Sequence, residues 1–151
     1  MKLAEALINR GTLQSKLDEL QTRLNNNAII QEGELPAENP QDLMNQVNST
    51  LKQLKELILK INITNSKTVN DGKTMTELLA ERDCLRLEIS IYRSFLNSAS
   101  STGYRARGSE IKIISTIPVA DLQSNLDQKS KSLRELEMKI QEINWTTDIT
   151  E

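Results

Sequence analysis

Histidine is absent from the 151 residues and cysteine occurs once, at Cys84. These absences remove the usual nitrogen and sulfur ligands of zinc, copper and haem, and with them Cys-His and Ser-His-Asp catalysis. One cysteine also rules out an intramolecular disulfide, and so a stapled secreted scaffold. Aromatic residues are nearly missing: one Trp, two Tyr and one Phe. Any core must therefore be aliphatic, which suits helices packed along seams. Charge of one sign is missing too. Nineteen basic and 21 acidic residues give a formal net charge of −2. They are interspersed, leaving no large field to collect a polyanion. Nucleic acid is not an expected partner. No run approaches the roughly 18 apolar residues of a membrane span, and the opening "MKLAEALINRG" places Glu5 and Arg10 where a secretory signal needs an apolar stretch. These features predict a cytoplasmic protein, with a membrane an unexpected though still open partner, and the length suits a single domain, 1–151.

What is present is periodicity. Apolar residues recur at alternating steps of three and four in four segments, predicting helices over about 2–27, 40–66, 74–100 and 118–145. The seam of the first helix reads Leu3, Ala6, Leu13, Leu17, Leu20 and Leu24, interrupted by Arg10. The second opens with Asn39 as cap and Pro40 at its first position, and its seam reads Met44, Val47, Leu51, Leu54, Ile58 and Ile61. The third carries Met75, Leu78, Leu85, Ile89, Tyr92, Leu96 and Ala99, with Arg82 intruding. In the fourth the seam runs Val119, Leu122, Leu126, Leu133, Leu136, Ile140 and Ile143, with Lys129 intruding. The predicted fold is mainly all-α: an antiparallel four-helix bundle or paired long helical hairpins. The tail "TTDITE" is expected to fray.

Two connections carry β-branched residues: "AIIQ", Ala28 to Gln31, and "IKII", Ile111 to Ile114. In an up-down-up-down bundle they fall at the same end, where they are expected to pair as a two-stranded ribbon. Such a ribbon is marginal alone and has free edges. Ile29, Ile30, Ile113 and Ile114 are thus the candidate surface for assembly, and a homo-oligomer is expected.

Gly72-Lys73-Thr74 running into a helix has the look of a phosphate-binding loop. That loop needs a glycine five places before the Gly-Lys pair, a place held by Lys67, and a strand before it where a helix is predicted. Asp71-Gly72 reads as a turn instead, and Thr74 with Glu77 as a capping box.

Three charged residues interrupt the seams, and the topology places Arg10 and Arg82 at similar height, level with Glu137. A polar layer of Arg10, Arg82 and Glu137, joined by Glu5 or Glu81, is the candidate site. Arginines snorkelling from the seam edge, or ion pairs fixing helix register, account for the same residues. Asn62 and Asn65 fit helix-end bonding. Tyr104, Arg105, Arg107 and Lys112 could touch RNA, but salt bridging to Glu32, Glu34 and Glu38 of the opposite loop explains them without a partner. No residue is marked out as catalytic, cofactor-binding or metal-ligating, and no small-molecule ligand is indicated. A non-enzymatic protein acting through self-assembly or protein interaction is expected.

Several stretches resemble a septicolysin-like family of small bacterial helical proteins: "MKLAEAL", "LNNNAIIQEGELPAENP", "KINITN", "DGKTMTELLAERD", "EIKIISTI" and "EINWTT". The resemblance spans almost the whole chain. What it implies is a cytolysin, a membrane-active protein whose amphipathic helices rearrange, with "LKQLKELILKI" of the second helix the nearest candidate.

Overall fold

The computed structural model of the chain describes residues 1–102 and 111–150. Its elements are α1 (Leu3–Asn26), α2 (Pro40–Lys67), β1 (Val69–Asn70), β2 (Lys73–Thr74), α3 (Met75–Ala99) and α4 (Val119–Thr146). The protein is mainly helical, with four helices at the places the periodicity predicts. They divide between two compact units, Met1–Thr74 with Ile143–Glu151 and Met75–Glu142.

In the first unit α1 and α2 pack together. Leu3, Ala6 and Leu20 of α1 are buried, and Leu13, Leu17 and Leu24 half-buried, so the expected α1 seam faces its neighbour. Asn39 caps α2 by accepting the N–H of Gln41 at 2.9 Å, with Pro40 at the first helical position. The expected α2 seam is kept in part, with Ile61 buried and Val47, Leu54 and Ile58 half-buried, but the buried side is turned from it near the start of the helix. Leu43, Thr50, Ile61 and Thr64 are inside, while Met44 and Leu51 are exposed. Threonine is tolerated there because each hydroxyl donates back to its own helix, Thr50 to Gln46 O at 2.7 Å and Thr64 to Lys60 O at 2.8 Å.

The small sheet lies elsewhere than predicted. β1 and β2 pair antiparallel, Val69 opposite Thr74 and Asn70 opposite Lys73. The turn between them is Asp71-Gly72, with φ of 50° and 81°. Positive φ at both central residues gives the type I′ geometry that matches strand twist, and Asp-Gly is its preferred pair. The ribbon expected from Ala28–Gln31 and Ile111–Ile114 is not formed, since neither run is strand. Around Ala28–Gln31 local bonding prevails. Asn27 donates to Arg23 O at 2.9 Å and accepts the N–H of Glu38 at 3.0 Å, and Glu34 N–H donates to Gln31 O across a turn containing Gly33.

The tail does not fray. Leu3 N–H donates to Thr147 O at 2.9 Å and Ile149 N–H to Met1 O at 3.0 Å, forming an antiparallel bridge between Lys2 and Asp148. Thr150 N–H donates to the Thr64 hydroxyl at 2.9 Å. The start of α1 and the end of α2 are thereby tied to the same strip of chain, as antiparallel helices require.

In the second unit, α3 and α4 are joined by Glu88 with Lys129 at 2.8 Å and by Arg86 with Glu137. Partners advance along α3 as they recede along α4, so the pair is antiparallel. Leu78, Ile89 and Leu96 of α3 and Leu126 and Ile140 of α4 are buried.

Candidate functional site

The four residues from Asp71 to Thr74 are the turn and second strand of the hairpin, and Lys67 is the last residue of α2. Backbone N–H groups in such a turn do not converge on a phosphate as those of a glycine-rich loop do. Thr74 immediately precedes α3, the position of a cap.

Of the proposed polar layer, Arg82 and Glu137 line one groove of the second unit, together with Arg86, Arg134, Met138 and Ile140; its volume is about 540 Å³. The guanidinium that holds Glu137 is not Arg82 but Arg86, one turn further along α3, whose Nε donates to Glu137 Oε1 at 2.8 Å and whose Nη2 donates to the same oxygen. Arg82 turns to its neighbour Asp83, Nε at 3.0 Å and Nη2 at 2.9 Å from Oδ1. Arg134 forms no ion pair among the described residues. Arg10 lies half-buried on α1, in the first unit. Lys129, the intruder in the fourth seam, is neutralised by Glu88.

Ile29 and Ile30 are exposed in the first unit, and Ile113 and Ile114 in the second. Tyr104, Arg105 and Arg107 lie outside the described residues, and Lys112 is exposed. The expected bridging of Glu38 to Arg105 or Arg107 lies outside the described residues; Glu38 binds Arg23, with Nε donating to its Oε2 at 3.0 Å. This side-chain hydrogen bond, with the Arg23 charge behind it, lowers the Glu38 carboxyl below its ordinary pKa. Asp148 is lowered likewise by its hydrogen bond from Lys2 Nζ at 2.9 Å.

A feature not anticipated from the seams lies on the outer side of α3. Ala80, Cys84, Leu87, Ile91 and Phe95 recur at steps of four, three, four and four, a second apolar stripe beside the one that faces α4. Leu87, Ile91 and Phe95 keep 62%, 56% and 42% of their surface exposed. Glu77, Glu81 and Glu88 follow one edge of this stripe. The signal was available in the sequence, because α3 carries apolar residues at more positions than one heptad seam can use. On α2 a complementary pattern appears: Met44, Leu51 and Leu59 are exposed on one side, with Lys52 and Lys55 among them.

Among the described residues no group of three or more His, Cys, Asp or Glu side chains could hold a metal ion. No helix is long and apolar enough to cross a membrane, again among the described residues.

A family model described as "Family of unknown function (DUF6847)" matches residues 10–149. This corrects the septicolysin-like expectation, because no finding names such a family, and the cytolysin implied by that resemblance loses its basis. The chain is similar to a solved structure described as a functionally unknown conserved protein from Corynebacterium diphtheriae, at 33% identity over 99% of each chain, with a TM-score of 0.92. No curated protein matches the chain.

Proposed function

The chain belongs to the DUF6847 family, and from that premise we propose that it is a non-enzymatic interaction protein that works by pairing with a second copy of itself. The observation that carries this reading is the outer stripe of α3. Water-facing helix surfaces of monomers are mostly polar, and a contiguous apolar stripe rimmed by charge marks an interaction face. The occupant is argued from charge. The α3 stripe is edged by Glu77 and Glu81, with Glu88 beside them engaged by Lys129, whereas the exposed apolar side of α2 carries Lys52 and Lys55. Pairing α3 with α3 would bring acids together; pairing α3 of one copy with α2 of the other brings opposite charges together.

The geometry also sets the strength. From Ala80 to Phe95 the stripe is roughly 23 Å long and about 10 Å wide. Counted on both copies, one such contact buries roughly 460 Å², below the size of a stable interface. The dimer is therefore reversible and concentration-dependent. The isoleucines at 29, 30, 113 and 114 lie in connections without a strand ladder and are not needed for it.

Multi-angle light scattering over a concentration series tests this. Wild type rises toward twice the chain mass, while Ile91→Glu and Leu51→Glu each remain monomeric with unchanged helical circular dichroism. Mixing the two variants restores some dimer, because α2 of the Ile91→Glu copy then meets α3 of the Leu51→Glu copy with both faces unaltered. A wild-type chain that is monomeric at its highest attainable concentration refutes the reading.

A further inference from the structure

The groove between α3 and α4 of the second unit carries chemistry that a pairing surface does not need. Three guanidiniums, Arg82, Arg86 and Arg134, stand in its wall against one carboxylate, Glu137, and Met138 and Ile140 supply an apolar lining. Charge of one sign gathered in a concavity is costly unless something answers it, and the ion pairs present answer only part of it. Asp83 engages Arg82 through Nε and Nη2, and Glu137 engages Arg86 through the same two nitrogens; no ion pair holds Arg134 among the described residues. A guanidinium offers five N–H donors in a planar fork, so Arg82 and Arg86 retain donors after these bonds, and Arg134 offers its whole fork. The volume of about 540 Å³ falls within the range that holds small ligands.

We infer that this groove binds a small amphipathic anion, with one carboxylate or phosphate head held by Arg134 and Arg86 and an apolar tail laid along Met138 and Ile140. An oxyanion is the head that matches a guanidinium fork, since it accepts two parallel hydrogen bonds, and a purely polar anion would leave the apolar lining unused. Glu137 has a defined part. It occupies the Nε and Nη2 face of Arg86, so an incoming head competes with it for that guanidinium. Removing the carboxylate therefore frees Arg86 and favours the ligand. A structural ion pair without a ligand predicts no such gain.

The test is titration calorimetry of the full chain with hexyl phosphate and with hexanoate, each below its aggregation threshold, with inorganic phosphate and hexanol as the head-only and tail-only probes. Saturable binding of at least one amphiphile is expected, tighter than either half alone. Arg134→Gln weakens it about tenfold or more, as loss of a charge-assisted bidentate contact does, and Glu137→Gln strengthens it several-fold. Arg134 and Glu137 are on accessible surface, so circular dichroism of both variants should match wild type. The opposite signs separate site chemistry from loss of fold, which would weaken binding in both. No binding of either amphiphile, affinity for inorganic phosphate equal to that for hexyl phosphate, or equal weakening by both substitutions overturns the proposal. A preference between the two amphiphiles decides whether the head is a phosphate or a carboxylate.

Discussion

Thr64→Val exchanges a hydroxyl for a methyl at a site only 2% exposed, and should cost stability even though the shape is conserved. The hydroxyl has three bonds. It donates to Lys60 O at 2.8 Å and accepts the N–H of Thr150 at 2.9 Å, and the Thr150 hydroxyl lies 3.3 Å from it. The first bond matters little, because a carbonyl within a helix already receives an N–H from the following turn. The second is different: valine strands the Thr150 donor at a half-buried position. An internal hydrogen bond contributes about 0.5 to 1.5 kcal/mol net, and a buried unpaired donor costs about 1 to 3. Partial exposure of Thr150 lets water recover some of this, so about 1 to 1.5 kcal/mol is expected, offset in part by the added methyl. Thr50→Val supplies the control. It is equally buried at 2%, and its hydroxyl donates to Gln46 O, but among the described residues it receives no tail N–H. The methyl gain and the lost back-bond are common to both variants, so their difference isolates the tether to Thr150. That difference should be about 1 kcal/mol in urea denaturation followed by circular dichroism, or roughly 2 to 4 °C in Tm for a chain of this size. Hydrogen exchange at the Thr150 amide should accelerate in Thr64→Val alone. Equal stability of the two variants, with Thr150 still protected, would show that the tail is not held by this bond.

Further expectations concern separate sites. Glu38 and Asp148 both have folded pKa values below their unfolded ones. Their stabilising contribution is therefore complete above the ordinary carboxylate pKa of about 4 and is lost as pH falls through the lowered values. Denaturation midpoints measured against pH should slope less on the acid side in Glu38→Gln and Asp148→Asn. Gly72→Ala places a Cβ at φ +81°, a left-handed conformation that costs an L-residue about 1 to 2 kcal/mol, and should lower the urea midpoint accordingly. Leu20→Ala, at a fully buried position of α1, should cost about 2 to 5 kcal/mol by the same assay. A double-mutant cycle between Arg86 and Glu137, whose side chains are 51% and 35% exposed, should give a coupling of only about 0.2 to 1 kcal/mol.

The four helices were legible because heptad spacing, Asn39-Pro40 and the Asp71-Gly72 turn all act locally, and the structure places helix ends within a residue or so of the expected ones. The phase of α2 was not. Residue type favours Met44 and Leu51 over Thr50 for burial, yet a threonine that satisfies its own hydroxyl within the helix behaves as a β-branched apolar residue. One reading failed through non-local bonding and one through local bonding. The strip at Thr147–Thr150 looks like a frayed polar tail until Met1, Lys2 and Thr64 are brought to it, and no window of sequence contains both. The β propensity of Ala28–Gln31 was real, but a strand needs a neighbour, and the side chains of Asn27, Arg23 and Glu38 organise that connection first. The hairpin at Val69–Thr74 was legible and its strands were passed over: Asp-Gly between short extended residues is among the clearest local signals for one. At the groove, the sequence placed Arg82 and Glu137 at similar height but not the choice of partner. Arg86 and Arg82 are one turn apart on nearly the same face, and the axial register of α3 against α4 decides which meets Glu137.

The tie between Lys2 and Asp148 joins residues 146 positions apart, and it bears on the order in which the protein assembles during synthesis. Residues 75–142 are continuous in sequence, so α3 and the greater part of α4 can pair as soon as they leave the ribosome. The other unit is discontinuous. Its α1 and α2 emerge first, but the backbone bonds of Met1 and Leu3 and the hydroxyl acceptor of Thr64 wait for Thr147, Ile149 and Thr150. The start of α1 is thus secured only once residues 147–150 have been made. Closing so long a loop carries an entropic cost, which makes sealing of the first unit a late step.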